Sequence, residues 1–217
     1  MDLVVLAKEP VPGHVKTRLC PPCSPAEAAG VAAAALADTL DAALGSGADR
    51  VVLALDGRPG AWCPPGVVVV GQGRGTLDRR LAHAWSHVSG QGPALQVGMD
   101  TPQVSAAELD RAMSALIDRG VDAVLGPATD GGWWALGMRH ARPEAVLGVP
   151  TGRPDTGARQ VARLVALGLR TRLLDQQTDI DTWPDALAAA DRAPGTRVAA
   201  AVRSLAAEIT PASGAGL

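Results

Sequence analysis

The stretch Leu3-Val4-Val5-Leu6-Ala7, followed at once by Lys8-Glu9-Pro10-Val11-Pro12-Gly13-His14-Val15-Lys16-Thr17-Arg18-Leu19, decides the fold class. Five consecutive apolar residues with no polar alternation describe a strand buried on both faces, as in a parallel sheet covered by helices on each side. Val51 to Leu55, Val67 to Val70, Ala94 to Gly98 and Ala123 to Leu125 read the same way, and Trp133 to Met138 and Leu169 to Leu174 are weaker strands. The segments between them have helical spacing. Ser24-Pro25-Ala26-Glu27 is a capping box with proline at the first helical position, and Leu36, Leu40 and Leu44 follow at four-residue intervals. Ser105-Ala106-Ala107-Glu108 is a second capping box, before Leu109, Ala112, Met113 and Leu116, with Gly120 as the expected stop. Thr76 precedes the stripe Leu77, Leu81, Ala84, Trp85. Asp155-Thr156 precedes Val161, Leu164 and Val165, ending at Gly168, and a last helix carries Val198, Val202, Leu205 and Ile209. Strands alternating with helices predict an α/β three-layer sandwich around a mostly parallel central sheet.

A chain of 217 residues suits one domain, expected here over residues 1–209, with Thr210 to Leu217 as a flexible tail. Twenty Lys and Arg against 22 Asp and Glu give a net charge of −2, so no global positive field exists to hold nucleic acid or an anionic membrane. No apolar run approaches the ~20 residues of a membrane span, and Met1-Asp2-Leu3-Val4-Val5 lacks the basic region of a signal peptide. The expected location is the cytoplasm. Three cysteines are too few for a disulfide scaffold, and Cys20-Pro21-Pro22-Cys23 stands outside a helix turn with no second pair, so neither redox chemistry nor zinc is expected of it. There is no Phe or Tyr, so the core must be Ala, Val, Leu and a few of the five Trp.

In an open α/β sheet, ligands bind beyond the carboxyl ends of the strands. The loop after the first strand places Lys8, Lys16 and Arg18 around a backbone stiffened by Pro10 and Pro12 and opened at Gly13; it suits a polyphosphate, or is a solvated cationic loop. It has neither Walker A nor Rossmann glycine spacing. Asp100 in Gly98-Met99-Asp100-Thr101-Pro102 follows a buried strand, where it can hold Mg²⁺ against phosphates or simply form a turn. Asp179 and Asp181 alternate with Ile180, so an extended backbone points both carboxylates one way. Either completes a metal site, or the segment is a polar loop with Thr182 capping a short helix. Asp130-Gly131-Gly132-Trp133-Trp134 offers glycines for close approach and tryptophan faces for a sugar or base; it also fits a hairpin turn entering a core strand. Gly71-Gln72-Gly73-Arg74-Gly75 enters a helix N-terminus, where Gln72 and Gly73 can meet a base, or it is a plain connection.

Read together and in order, Leu6-Ala7-Lys8 with Pro10 to Gly13 and Val15 to Leu19, Gly98 to Pro102, Gly126-Pro127 with Asp130 to Trp134, and Asp179-Ile180-Asp181-Thr182 resemble the bacterial GT-A-fold glycosyltransferase family of the radical-SAM/selenodomain-associated transferase type. The resemblance covers nearly the whole chain. It implies a Rossmann-like GT-A sandwich and a distant similarity to 2-phospholactate and molybdenum-cofactor guanylyltransferases, which share the Lys/Arg loop, the acidic residue after a central strand and the Asp-x-Asp-Thr motif. One departure matters: glycosyltransferases of this fold carry a D-x-D motif where this chain reads Gly98-Met99-Asp100, with a single carboxylate. With the basic loop, this favours nucleotidylyl transfer to a small phosphate or carboxylate acceptor over glycosyl transfer from a nucleotide sugar. A catalytically degenerate nucleotide-binding protein is the third possibility. On the preferred reading, Lys8, Gly13, Lys16, Arg18, Gln72 and Gly73 bind the nucleotide or nucleotide sugar. Asp100 and one of Asp179 and Asp181 hold Mg²⁺ or Mn²⁺, with Asp100 and Lys16 as the catalytic pair, while Asp130, Gly131, Gly132, Trp133 and Trp134 face a small-molecule acceptor.

Overall fold

The computed structural model describes residues 1–88, 90 and 92–209. Thr210 to Leu217, expected as a tail, lie outside the described residues. Seven strands form one sheet: β1 (Asp2–Lys8), β2 (Arg50–Asp56), β3 (Val67–Gly71), β4 (Ala94–Gly98), β5 (Ala123–Pro127), β6 (Trp133–Met138) and β7 (Thr171–Leu173), in the order β3-β2-β1-β4-β6-β5-β7. All pairings are parallel except those of β6, which runs antiparallel to both β4 and β5. The strand expected over Leu169 to Leu174 is reduced to the three residues of β7, an edge strand paired only with β5 in the ladder.

The helices are α1 (Pro25–Leu44), α2 (Leu77–Ser86), α3 (Ala106–Ile117), α4 (Thr156–Ala166), α5 (Trp183–Arg192) and α6 (Arg197–Ile209). Both expected capping boxes form: Ser24 Oγ accepts from Glu27 N and Ser105 Oγ from Glu108 N, each contributing about 1 kcal/mol to helix initiation. Asp155 makes no side-chain cap for α4; its carboxylate receives Arg159 instead. The helix α3 stops at Ile117, ahead of Gly120, which takes the left-handed φ of 85° in the following turn.

Alternate residues of each central strand feed opposite faces. Leu3, Val5, Leu53, Leu95 and Val97 pack with α1 and α3, while Val4, Val52, Ala54, Leu125 and Leu136 pack with α2 and α4. A third apolar cluster lies off the sheet, where α1, α5 and α6 enclose Leu19, Cys23 and Ile180. This cluster positions the site. Leu19 and Ile180 are fully buried in it and, at about 2 kcal/mol each, they moor the basic loop and the Asp179–Asp181 segment to one wall. The capping box of Thr182 with Asp185 starts α5 immediately afterwards. Cys23 serves this cluster as a small apolar side chain, its thiol pKa raised chiefly by burial.

Candidate functional site

Strand order reverses at β1, whose neighbours are β2 on one side and β4 on the other; the register sets Leu6 against Gly98. Lys8 and Asp100 therefore leave the sheet side by side at its carboxyl rim, the place where open α/β sheets bind ligands. A cleft opens there in two adjoining lobes. The first, about 370 Å³, is lined by Lys8, His14, Lys16, Arg18, Gln72 and Arg80 among others. The second, about 570 Å³, runs between the sheet and the helices α2 and α4 and is lined by Gln96, Asp130, Trp133, Arg153 and Asp179 among others. Leu6, Leu77, Arg18, Asp100 and Asp181 belong to both and mark the junction.

Two segments some eighty residues apart in sequence meet at this junction: Ile180 N–H donates to the Asp100 carbonyl at 2.8 Å. Lys16 ties them further. It is the only non-glycine residue with a left-handed backbone among the described residues (φ 49°), and that conformation carries its ammonium inward to the Asp100 carboxylate at 2.5 Å and to the Ile180 carbonyl. With its side chain only 6% exposed, Lys16 is a buried strut. Arg18 is exposed and pairs with Asp181 at 3.2 Å, while Lys8 has no ion pair among the described residues.

Ile180 points into the third apolar cluster, so Asp179 and Asp181 on either side of it turn toward the cleft, as the alternation implied. The Asp179 pKa is pushed up to about 7, first by burial and then by the carboxylates of Asp100 and Asp130, against the opposing pull of Lys16. Its Oδ1 is enclosed without a hydrogen-bond partner among the described residues. An orphaned hard oxygen among crowded carboxylates is a site a divalent cation would relieve. The fit is partial in protein ligands: no set of three His, Cys, Asp or Glu side chains able to hold an ion exists among the described residues. That suits Mg²⁺ or Mn²⁺ held by one or two carboxylates with ligand phosphates supplying the remaining oxygens.

Other expected residues have different roles. Gln72 is 3% exposed and gives its amide hydrogens to the carbonyls of Ala7 and Ala54, at 2.7 and 3.0 Å, while its oxygen receives Arg80 Nη1 at 3.2 Å. It braces β1, β2 and α2, leaving no free donor for a base. Gly73 takes φ 74°, with His83 where a Cβ would come within 3.1 Å; Gly13, at φ 76°, has open space around it. The hairpin reading holds for Asp130 to Trp134, because β5 turns directly into β6. Gly131 (φ 89°) is required by its own chain, since a Cβ there would lie 1.9 Å from the Pro154 carbonyl. Gly157 N–H then donates to the Gly131 carbonyl at 2.8 Å, docking the hairpin on the start of α4. Asp130 Oδ1 accepts from Gly132 N–H at 2.7 Å. Trp134 is 4% exposed with its indole N–H on the Asp175 carbonyl, a core residue; Trp133, on the opposite face of β6, is half-buried against the second lobe. Sequence reasoning missed Arg80, Arg153 and Gln96. Arg80 and Arg153 sit in polar stretches that read as solvated surface, and Gln96 hides inside an apolar strand.

A family model described as an uncharacterized protein conserved in bacteria, DUF2064, matches residues 31–153, more than half of the chain. The chain belongs to the DUF2064 family. The matched segment contains Asp100 and Asp130 to Trp134, with the basic loop and Asp179–Asp181 outside it. No curated protein matches this DUF2064 chain. Among solved structures it is similar to a Desulfovibrio desulfuricans G20 protein provisionally assigned as a nucleotide-diphospho-sugar transferase, at 24% identity and TM-score 0.85, covering 96% of each chain. It is also similar to Mycobacterium tuberculosis H37Rv Rv0371c solved with manganese, at 25% identity and TM-score 0.53 over 87% of this chain and 96% of that one. A nucleotidyl transferase of Methanothermobacter matches at 18% identity and TM-score 0.59, covering 87% of this chain and 95% of its own. The fold is thus the mostly parallel α/β sandwich that the Desulfovibrio structure also has.

Proposed function

We propose that this DUF2064 chain is a divalent-cation-dependent transferase that binds a nucleoside triphosphate or nucleotide sugar in the two-lobed cleft, residues 1–209 acting as one nucleotide-binding unit in the cytoplasm. The observation that carries this reading is the junction itself. Cations of the first lobe and three carboxylates, one with an enclosed oxygen that has no partner among the described residues, are brought together by a strand end, a moored loop and a strut. Lys8 and Arg18 would bind phosphate oxygens, with charge-assisted contacts of roughly 1.5 to 3 kcal/mol each. Lys16 fixes Asp100, and Asp100 with Asp179 or Asp181 would hold Mg²⁺ or Mn²⁺; when bound, that ion supplies charge neutralisation and orientation to the phosphates.

The preferred reaction is nucleotidylyl transfer. A phosphate or carboxylate oxygen of the acceptor forms a bond to the α-phosphorus as the bond from that phosphorus to the bridging oxygen breaks, and pyrophosphate leaves with the bonding pair. The acceptor, already anionic, has no proton to lose, and no side-chain base is needed. Glycosyl transfer is the second reading, favoured by Trp133, which lines the second lobe and whose ring suits a sugar. The kinships with nucleotidyl transferases and a manganese-bound protein support the general reading, and relation to the selenodomain-associated group and the guanylyltransferases is part of the same proposal.

Screening the four nucleoside triphosphates and common nucleotide sugars by thermal shift, with and without Mn²⁺, tests it. A cation-dependent rise in melting temperature is expected, with pyrophosphate release on adding an acceptor; nucleoside diphosphate release would establish the glycosyl reading. No shift with any nucleotide would contradict both.

A further inference from the structure

The second lobe contains a polar group that neither the fold nor the proposed reaction uses. Gln96 stands in the middle of β4, with Val4 of β1 and Leu136 of β6 as register partners. It is 1% exposed, its Oε1 is enclosed without a hydrogen-bond partner among the described residues, and it lines the second lobe. Every part of the Gln72 amide is engaged by backbone or Arg80. Gln103 and Gln177, whose Oε1 atoms are also enclosed without a partner among the described residues, lie away from the cleft; of these three, Gln96 alone lines it. An unpaired buried amide is destabilising, whereas the adjacent Leu95 and Val97 show that apolar residues fit this strand. The lobe that Gln96 lines is where a ligand can supply that partner.

The surrounding walls indicate its chemistry. Leu77, Leu81 and the half-buried Trp133 offer apolar and aromatic surface, which suits the C–H face of a sugar ring. Four carboxylates, Asp100, Asp130, Asp179 and Asp181, line the lobe against the two cations Arg18 and Arg153, so anionic groups are disfavoured away from the junction. A carboxamide supplies one acceptor and two donors without charge, the complement of a hydroxyl. We propose that Gln96 is a specificity-determining residue that reads a hydroxyl of an uncharged, sugar-like body in the second lobe. This rests on the cleft being the nucleotide site. The body is either the sugar of a nucleotide sugar or that of a free sugar phosphate whose phosphate stays at the junction.

Titration calorimetry in Mn²⁺ on the wild type, Gln96→Leu and Gln96→Met tests the proposal with UDP and GDP, UDP-glucose and GDP-mannose, and glucose 1-phosphate added to the triphosphates. Binding of a sugar-bearing probe relative to the matching nucleotide should weaken about tenfold in both variants, the effect of one lost hydrogen bond to a buried amide. Melting temperatures should hold or rise, because an unsatisfied amide has been removed. Loss confined to the nucleotide sugars assigns the body to the donor, and loss confined to glucose 1-phosphate assigns it to the acceptor. The proposal is overturned if the ratios stay within twofold, if no sugar probe binds while nucleotide does, or if both variants are destabilised or fail to fold, which marks Gln96 as structural. Nucleotide binding without a change in the ratios refutes only this inference; absence of all nucleotide binding removes the functional reading as well.

Discussion

The two rims of the sheet use the same residue types in opposite ways. At the amino rim, charges are closed into local pairs. Asp122 accepts from the Arg170 backbone N–H, Nε and Nη2 at 3.0, 2.7 and 3.0 Å, Arg50 grips Asp2, and Arg139 donates to the carbonyls of Leu116, Asp118 and Val121. At the carboxyl rim, Lys16 holds Asp100 and Arg18 meets Asp181, but among the described residues Lys8 has no ion pair and Asp179 has an oxygen without a partner, and four carboxylates share one lobe. Paired charges splice strand ends together; unpaired, crowded charges raise the free energy of the empty site and leave it to be recovered when a ligand arrives. The contrast separates structure from binding without any appeal to residue type.

Breaking the carboxyl rim should therefore cost binding more than stability. The largest effect is expected for Asp100→Asn, which keeps the side chain's size and deletes its charge. Cation-dependent nucleotide affinity should fall on the order of a hundredfold, ~3 kcal/mol, with a smaller loss of stability because the buried Lys16 loses its carboxylate but keeps the Ile180 carbonyl, measured by calorimetry beside a thermal melt. A comparable loss of stability would place Asp100 with the splices of the other rim.

Arg18→Ala should act in the same direction more weakly. Its side chain is exposed and pairs with Asp181 at 3.2 Å, so about a tenfold loss of nucleotide affinity is expected at low salt, shrinking as ionic strength rises. An identical dissociation constant at every salt concentration would make the loop solvated charge and nothing more.

The smallest effect belongs to the amino rim. Arg170, first through its side-chain hydrogen bonds and then through its backbone N–H, holds the Asp122 carboxyl well below the usual carboxylate range. A depressed folded-state pKa stabilises the protein above the unfolded value of about 3.9 and is lost as the pH falls below it. Asp122→Asn should therefore be slightly less stable than the wild type at pH 7, the gap closing on acidification below about pH 4, while nucleotide affinity stays constant. Urea melts at several pH values read this out, and a gap that widened in acid would reverse the assignment.

The sequence made the rims' location legible and their wiring much less so. Leu3 to Ala7 and the boxes at Ser24 and Ser105 encode local structure in adjacent residues, and all three elements form where expected. The reversal of β6 left no mark, since Trp133 to Met138 reads alike in either direction; only the short turn at Ala128 to Gly132 enforces it. The convergence of Lys16, Asp100 and Asp179–Asp181 could be anticipated from strand ends, but the strut geometry of Lys16 depends on a left-handed backbone that no pattern announces. Gln72, Gln96 and Trp134 show the limit: whether an amide or indole is satisfied by the fold or left for a ligand depends on partners distant in sequence.

The central claim is that the junction holds a divalent cation together with nucleotide phosphates. Titrating Mn²⁺ into the protein while following the free-ion signal by electron paramagnetic resonance tests it most directly, with and without each nucleoside triphosphate, for the wild type and Asp100→Asn. After subtraction of the ion bound by nucleotide alone, the account predicts one Mn²⁺ per chain, tight only when a nucleotide is present and lost in Asp100→Asn. Nucleotide binding that proceeds equally well without any divalent cation, or Mn²⁺ uptake unchanged in Asp100→Asn, would contradict it.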